Sequence, residues 1–535
     1  VIFATDVREL LLDLVPLPVL LPLVGAGLAL VVRRRTRLQR AVTVATLSLV
    51  LAISAVLLWG ADRYGLQVVH VGGWVPPQGV TLVIDRLAAL MVVVAVVVTF
   101  GVLLYAIGQG RGATDRESGA FSSARRTSFG EAPLPIFHPT LLVLLSGVST
   151  TFISGDLFHM YVGFEMLLAA SFVLLTLGAS AERVRAGISY VFVSLASSSI
   201  FLIALAMVYA ATGTVNLAQL STRLDDIPAG TSLLLQLLLL TGFAVKAAVF
   251  PLSGWLPDAY PTAPAPVTAV FAGLLTKVGV YAMIRTQTLL FPGSPLQTLL
   301  LWAALLTMLV GILGAVAQDD IKRMLSFTLV SHIGYMVLGI ALASPAGLSA
   351  SIFYVAHHIT IQTTLFLVAG LIERRGGSTS MSRLGGLARV SPLLAVLYGV
   401  PAANLGGIPP FSGFLGKVGL MQAGAEQGGW LVYALLAGSV LTSLLTLYAV
   451  SRVWTRAFWR VPVVAPVTSE NRLERRYERL YALAPGVVLP TAALVLVGVA
   501  LTVVAGPLFG VTDRAAAELL EPAGYVRAVF GDVVP

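Results

Sequence analysis

Apolar stretches of about 20 residues, each long enough to cross a bilayer core as a helix, recur from one end of this chain to the other. The pattern predicts fourteen spans, near 10–32, 41–61, 83–107, 138–154, 157–178, 187–212, 231–256, 264–288, 295–317, 323–344, 347–372, 391–424, 429–451 and 484–508. The fold class that follows is an all-α polytopic membrane protein. One stretch breaks the helical pattern. Residues 64–82 (YGLQVVHVGGWVPPQGVTL) alternate β-branched positions and carry a Gly-Gly and a Pro-Pro pair, which predicts a short extracellular hairpin. Two segments between spans are long and polar. Residues 108–137 are rich in Gly, Ser and Arg and predict a flexible loop, while 452–480, with alternating Arg and Glu, predict a surface helix. In the tail 511–535, TDRAAAELLEP reads as an amphipathic turn of helix with Thr512 as its N-cap.

Composition agrees with the pattern. The chain is 57% hydrophobic and 11% charged, against about 25% charged residues in soluble domains. It has no cysteine, which excludes disulfides, cysteine-ligated iron–sulfur clusters and zinc-thiolate sites. Acidic residues in the opening VIFATDVRELLLDLV take the place of the basic n-region of a cleaved signal, so the first run reads as a permanent span. The net charge of +9 reflects arginine in the loops. With the N-terminus outside, 24 Lys and Arg fall in inside loops and six, including Arg285, in outside segments. This bias predicts extracytoplasmic N- and C-termini. It makes the basic charge topological, with no nucleic-acid partner and the lipid bilayer as surroundings.

A few ionisable residues interrupt the apolar runs: Glu165, Lys246, Lys277, His332, His357, His358 and Lys417. Counting a helical rise of about 1.5 Å per residue from the nearest span edge puts each near mid-depth, about 12–17 Å in. They come from six different spans. A lone lysine at the centre of a span costs about 2.5–3.5 kcal/mol on insertion scales, so such a residue faces protein or water and usually has a task. The structural alternative is that these groups are salt bridges and hydrogen bonds pinning helices together. Three lysines against one mid-span glutamate do not balance, which favours partly neutral, hydrated or mobile-ion-paired lysines. Burial lowers a lysine's pKa and a nearby carboxylate raises it. Glu165 approaching Lys246 would hold that proton, and separation would release it toward Lys277.

Backbone breaks fall beside two of the lysines. Pro251 follows Lys246 by five residues, and Gly406, Gly407, Pro409, Pro410 and Gly413 precede Lys417. Interrupted helices at matching places in two halves point to a transport site. The breaks are five spans apart, which suits two inverted units, spans 4–8 and 9–13. The corresponding division is 1–137, 138–288, 289–460 and 461–535. There is no Walker loop and no GxGxxG opening a helix after a strand, so no nucleotide or other cofactor is expected. Adjacent His357 and His358 point about 100° apart on a helix and suit a proton relay better than joint metal ligation.

FAVKAAVFPLSGWLPDAYPTAPAPVTAVFAGLLTKVGVYAMIR, QDDIKRMLSFTLVSHIGYMVLGIAL, AHHITIQTTLFLVAGLIERR and GIPPFSGFLGKVGLM resemble the antiporter-like subunits shared by Mrp-type Na+/H+ antiporters and respiratory complex I. Within that superfamily, the WLPDAYPTAPAPVTAV stretch is most similar to the D-type branch of Mrp antiporter subunits. The resemblance spans about residues 80–460. It implies fourteen helices, two inverted five-helix repeats with helices 7 and 12 broken, and a hydrophilic axis. On that axis it places Glu165 in helix 5, Lys246 in broken helix 7, Lys277 in helix 8, His332 in helix 10 and Lys417 in broken helix 12. It also implies work within a complex of several membrane subunits in the plasma membrane, exchanging protons for Na+, with K+ or Li+ as alternatives. Two positions depart from relatives: Gln362 replaces a common lysine, leaving relay there to His357, His358 or water, and Ser253 replaces a histidine frequent in complex I. The alternatives are a proton-pumping subunit of an NADH:quinone oxidoreductase and, from another class, a non-transporting membrane scaffold.

Overall fold

The computed structural model describes residues 2–114, 135–177, 181–461 and 483–531. Most of the loop expected at 108–137, and of the surface helix expected at 452–480, lies outside these residues. The edges that are described are helical, to Thr114 and from Trp454 to Trp459.

The first apolar run forms two helices, α1 (Ile2–Leu14) and α2 (Leu17–Val31), meeting at 45°. Pro16 and Pro18 open α2, and proline cannot donate into a preceding turn without breaking it. Helix α3 (Thr36–Tyr64) leads into the expected hairpin. Its strands β1 (Gln67–His70) and β2 (Thr81–Ile84) pair antiparallel, with Gln67 opposite Ile84. Then follow α4 (Arg86–Thr114), α5 (Phe137–Ile153), α6 (Leu157–Leu175), α7 (Ala181–Thr212), the short α8 (Leu217–Arg223), α9 (Ala229–Ala247) and α10 (Ala265–Leu289). The second half comprises α11 (Gln297–Ala317), α12 (Ile321–Leu342), α13 (Pro345–Gly376), α14 (Pro392–Gly406), α15 (Ser412–Gln427) and α16 (Trp430–Trp459). The chain continues through α17 (Pro485–Val503), α18 (Ala505–Leu519) and α19 (Pro522–Phe530).

Among the described residues, 11 helices are long and apolar enough to cross a membrane, or 12 if the bent α1–α2 pair is one span. The expected fourteen is therefore not reached on that measure. The fourth predicted span, α5, is only 17 residues long, and the twelfth divides into α14 and α15. The seventh is also shorter than its apolar run: α9 stops at Ala247, nine residues before the predicted edge at 256. A rise counted from Pro257 consequently does not measure the depth of Lys246. In the tail, Thr512 is no N-cap. It lies inside α18, and its Oγ1 meets Ser349 Oγ at 2.9 Å.

Burial separates the helices into centre and rim. The apolar windows of α10 and α13 are 100% buried and that of α12 94%, whereas those of α3, α7, α9, α16 and α17 are 33–39% buried. The rim helices thus offer apolar faces to lipid. The three central helices meet protein all round, and they carry Lys277, His332, His357 and His358.

Two matching units are visible in the packing. In the first, Gly147 of α5 lies against the Gly163 carbonyl of α6, where an added Cβ would sit 3.0 Å from that oxygen. Asp156 caps α6 by accepting from the His159 amide at 2.6 Å, and bridges to Asn216. In the second, Gly311 of α11 lies against Ser331 of α12, Asp320 caps α12 by accepting from the Arg323 amide at 2.9 Å, and Asp320 bridges to Ser380. Gly147, Asp156 and Asn216 precede Gly311, Asp320 and Ser380 by one constant offset.

A Cβ at Gly311 would lie 2.4 Å from the Ser331 backbone nitrogen. Overpacking of this kind costs about 1–3 kcal/mol, so Gly311→Val should lower the temperature at which the detergent-solubilised chain loses its monodisperse peak, measured by size-exclusion after heating. A second outcome concerns pH. Burial pushes the Asp156 carboxyl up to about 6, against the opposing amide hydrogen bond from His159. The folded state then binds the proton more tightly than the unfolded state, so stability falls as pH rises through about 6, by on the order of 3 kcal/mol. Asp156→Asn should flatten the melting temperature over that window; an unchanged slope would count against this assignment.

Candidate functional site

The break after α9 is made by the backbone. Ala248 takes the left-handed conformation (φ 59°), and the amides of Ala248 and Val249 turn back onto the Val245 and Ala244 carbonyls. The Trp255 indole donates to the Val245 carbonyl at 3.0 Å, and the Phe250 amide finds Thr307 Oγ1 at 3.0 Å. Pro251 lies in the loop that follows. Lys246 sits in the last turn, where the helix dipole favours a cation. Its Nζ stands 6.0 Å from the centroid of the Phe164 ring and opens on a narrow cleft lined by Tyr190, Ser194, Trp255 and Leu275. Glu165, on α6, lies within electrostatic reach of Lys246. No ion pair within 4.0 Å joins the two among the described residues, and Glu165 Oε1 is buried without a hydrogen-bond partner.

Lys277 is fully buried on α10. Residues Phe271–Leu275 form a π turn, a local widening that leaves carbonyls without their usual partners. Lys277 Nζ donates to a carbonyl within this turn, that of Ala272, at 2.6 Å. No periodicity in the sequence announced this turn.

His332 and His358 come together across α12 and α13, their ring centroids 5.2 Å apart. His332 Nδ1 meets the Tyr354 hydroxyl at 2.8 Å and Nε2 meets Thr446 Oγ1 at 3.4 Å. Among the described residues, neither ring nitrogen of His358 has a hydrogen-bond partner. His357 points elsewhere, with Nδ1 3.0 Å from Ser412 Oγ at the start of α15. The adjacent histidines therefore serve different neighbours, as their helical spacing predicts. Gln362 donates to the Leu325 carbonyl at 2.6 Å.

The second break repeats the first. Gly407 is left-handed (φ 80°), three residues before Pro410, as Ala248 stands three before Pro251. Pro409 completes the non-helical link. Asn404 Oδ1 accepts from the Gly413 amide at 2.9 Å, serving the start of α15. Lys417 Nζ reaches back to the last carbonyls of α14, Leu405 at 3.2 Å and Gly406 at 3.4 Å, and stands 5.2 Å from the centroid of the Tyr335 ring. Tyr335 itself contacts Ser439 and Ser443 of α16. Lys277, His332, His357, His358 and Lys417 thus form one electrostatically coupled cluster, while Glu165 and Lys246 form a second, smaller group.

Several partners escape a reading of the sequence. Tyr354 and Ser412 carry no signal beyond being polar. Ser439, Thr442, Ser443 and Thr446 do carry one, since they recur at helical spacing on a single face of an otherwise apolar run. Arg285, assigned from its sequence position to an outside segment, is instead buried within α10 and paired with Asp85 at 2.6 Å. Among the described residues, no group of three or more His, Asp or Glu side chains is arranged to hold a metal ion.

Two matching units, each with one interrupted helix next to a lysine, are the arrangement of an antiporter-like membrane subunit. The chain belongs to the NADH:quinone oxidoreductase/Mrp antiporter transmembrane family, whose description matches residues 154–446. It is 33% identical over 521 residues to the D-type Na(+)/H(+) antiporter subunit of Alkalihalophilus pseudofirmus, covering 97% of this chain and 99% of that one. A chain in the Mrp complex from Dietzia sp. DQ12-45-1b superposes with a TM-score of 0.86 at 33% identity, covering 97% and 99% of the two chains. A chain of respiratory complex I from Thermus thermophilus gives 0.74 at 25% identity, covering 95% and 99%.

Proposed function

We propose that the chain is the proton-translocating subunit of a multisubunit monovalent cation/proton antiporter of the plasma membrane, exchanging Na+ for protons alongside other membrane subunits. Proton transfer runs among Glu165, Lys246, Lys277, His332, His357, His358 and Lys417. The observation that carries this reading is how the three lysines are held. Among the described residues, Lys277 and Lys417 bond to backbone carbonyls alone, and Lys246 lies at a helix C-terminus near a carboxylate oxygen without a partner. A carbonyl oxygen accepts a hydrogen bond from an ammonium group without competing for its proton. The lysine can then release that proton when the local field changes, as a tight carboxylate pair would not allow. Glu165 supplies such a field for Lys246. The higher identity to the Mrp-type relatives than to the complex I chain supports cation exchange over redox-driven pumping.

Na+-dependent proton exchange in vesicles holding the whole complex tests the relay. Lys246→Ala and Lys277→Ala should each lower it roughly tenfold or more, a barrier increase of at least about 1.4 kcal/mol. Normal exchange in the double variant would leave only the scaffold reading. Orientation has its own check, since the chain has no cysteine. With the termini extracytoplasmic, Arg34→Cys in the exposed α2–α3 turn should react with an impermeant thiol reagent only from the cytoplasmic side. Val75→Cys in the exposed hairpin should react only from outside, and the reverse pattern would invert the topology.

A further inference from the structure

Lys277, Tyr281 and Arg285 follow one another at four-residue spacing and so share one face of α10. Arg285 stands about 12 Å beyond Lys277 along the axis. This face runs from Lys277 toward the end of the molecule that carries the β-hairpin, where Asp85 follows β2. The chemistry along it opposes proton movement. Arg285 is buried, with Nη1 2.6 Å from Asp85 Oδ2 and Nη2 donating to the Tyr281 hydroxyl at 3.0 Å. Tyr281 in turn donates to the Phe152 carbonyl at 2.5 Å, so its one proton is committed. The guanidinium lies 5.4 Å from the Tyr281 ring centroid and 5.8 Å from that of Tyr525. Asp85 Oδ1 accepts from the Ala88 amide at 2.8 Å, which anchors the pair to the start of α4. One layer further out, Arg86 pairs with Asp62 at 3.2 Å and with Glu518 of the tail at 2.9 Å.

A guanidinium does not deprotonate in proteins. It relays no proton and repels cations, which is how a fixed arginine excludes protons from a pore. Lys277 faces away from it, toward the Ala272 carbonyl. The second unit ends its fifth helix with the same spacing, Tyr448 and Arg452, but there the arginine is only half-buried. It donates to the Val316 and Gln318 carbonyls and has no carboxylate partner among the described residues. Among the described residues, a buried arginine–carboxylate pair at this position therefore occurs in the first unit and not in the second.

We propose that the Arg285–Asp85 pair, clamped by Tyr281, is a proton seal that closes the hairpin end of the first five-helix unit. A proton reaching Lys277 then leaves sideways, toward His358 and His332. This rests on the reading of Lys277 as a proton station. The test uses the whole complex in sodium-free vesicles with an imposed pH gradient, following its decay with a fluorescent pH dye. The charge-free double variant Asp85→Asn/Arg285→Gln should raise the leak roughly tenfold, equivalent to a barrier lowered by about 1.4 kcal/mol. Adding Lys277→Ala should return the leak to the wild-type level. An assembled double variant with a wild-type leak overturns the proposal, as does a leak that survives Lys277→Ala. Where the double variant does not assemble, Tyr281→Phe, which keeps the ion pair and removes the clamp, should leak severalfold more than wild type; a wild-type leak there also overturns the proposal. Because the leak is read without sodium, the seal and the exchange reading can fail independently.

Discussion

An ammonium group inside an apolar helix bundle must find acceptors, and for Lys277 and Lys417 those acceptors are main-chain oxygens. Regular α-helices have none to spare, because each interior carbonyl is already bonded to the amide four residues on. Carbonyls become available where the helix ends, breaks or widens. Lys417 takes the end of α14, and Lys277 takes a carbonyl of the π turn in α10. Lys246 occupies the last turn before a left-handed residue. The irregular backbone and the buried charge are thus one feature: each lysine lies at or beside a helix defect that accommodates it.

Irregular backbone is tolerated at this depth only if protein encloses it, and that condition organises the rest of the molecule. The π turn lies in a helix with no lipid-facing residue in its apolar window, packed against the equally enclosed α13. The freed amides after α9 and before α15 are met by side chains from neighbouring helices, Thr307 in one case and Thr502 in the other. The lipid-facing helices surround this centre. The tail is tied to one end of it through the salt bridges of Arg514 with Asp62 and of Glu518 with Arg86.

Much of the site could be read in advance because its chemistry is conspicuous against an apolar background. Lone lysines, adjacent histidines and clustered Gly and Pro stand out in a chain that is 11% charged. Their partners did not stand out. A π turn leaves no composition signature in FAGLL, and nothing marks Ala272 as an acceptor. Asp85 and Arg285 are 200 positions apart and meet only in the folded chain, where the turn from β2 into α4 reaches the last part of α10. Helix ends misled most where an apolar run outlasted its helix. The run through 256 stays apolar although the helix stops at Ala247, so hydropathy alone overstates the length of that span.

Holding charge by main-chain oxygen also affects how such a protein changes over generations. A salt bridge is lost when either side chain mutates, and both partners must then drift together. The carbonyls of Ala272, Leu405 and Gly406 persist whatever side chain those positions acquire, provided the local backbone path survives. Selection on the acceptors therefore acts on shape, through residues such as Gly407 that permit the turn, and the surrounding apolar side chains are free to vary. A lineage can replace much of its core and still keep the same places for a positive charge.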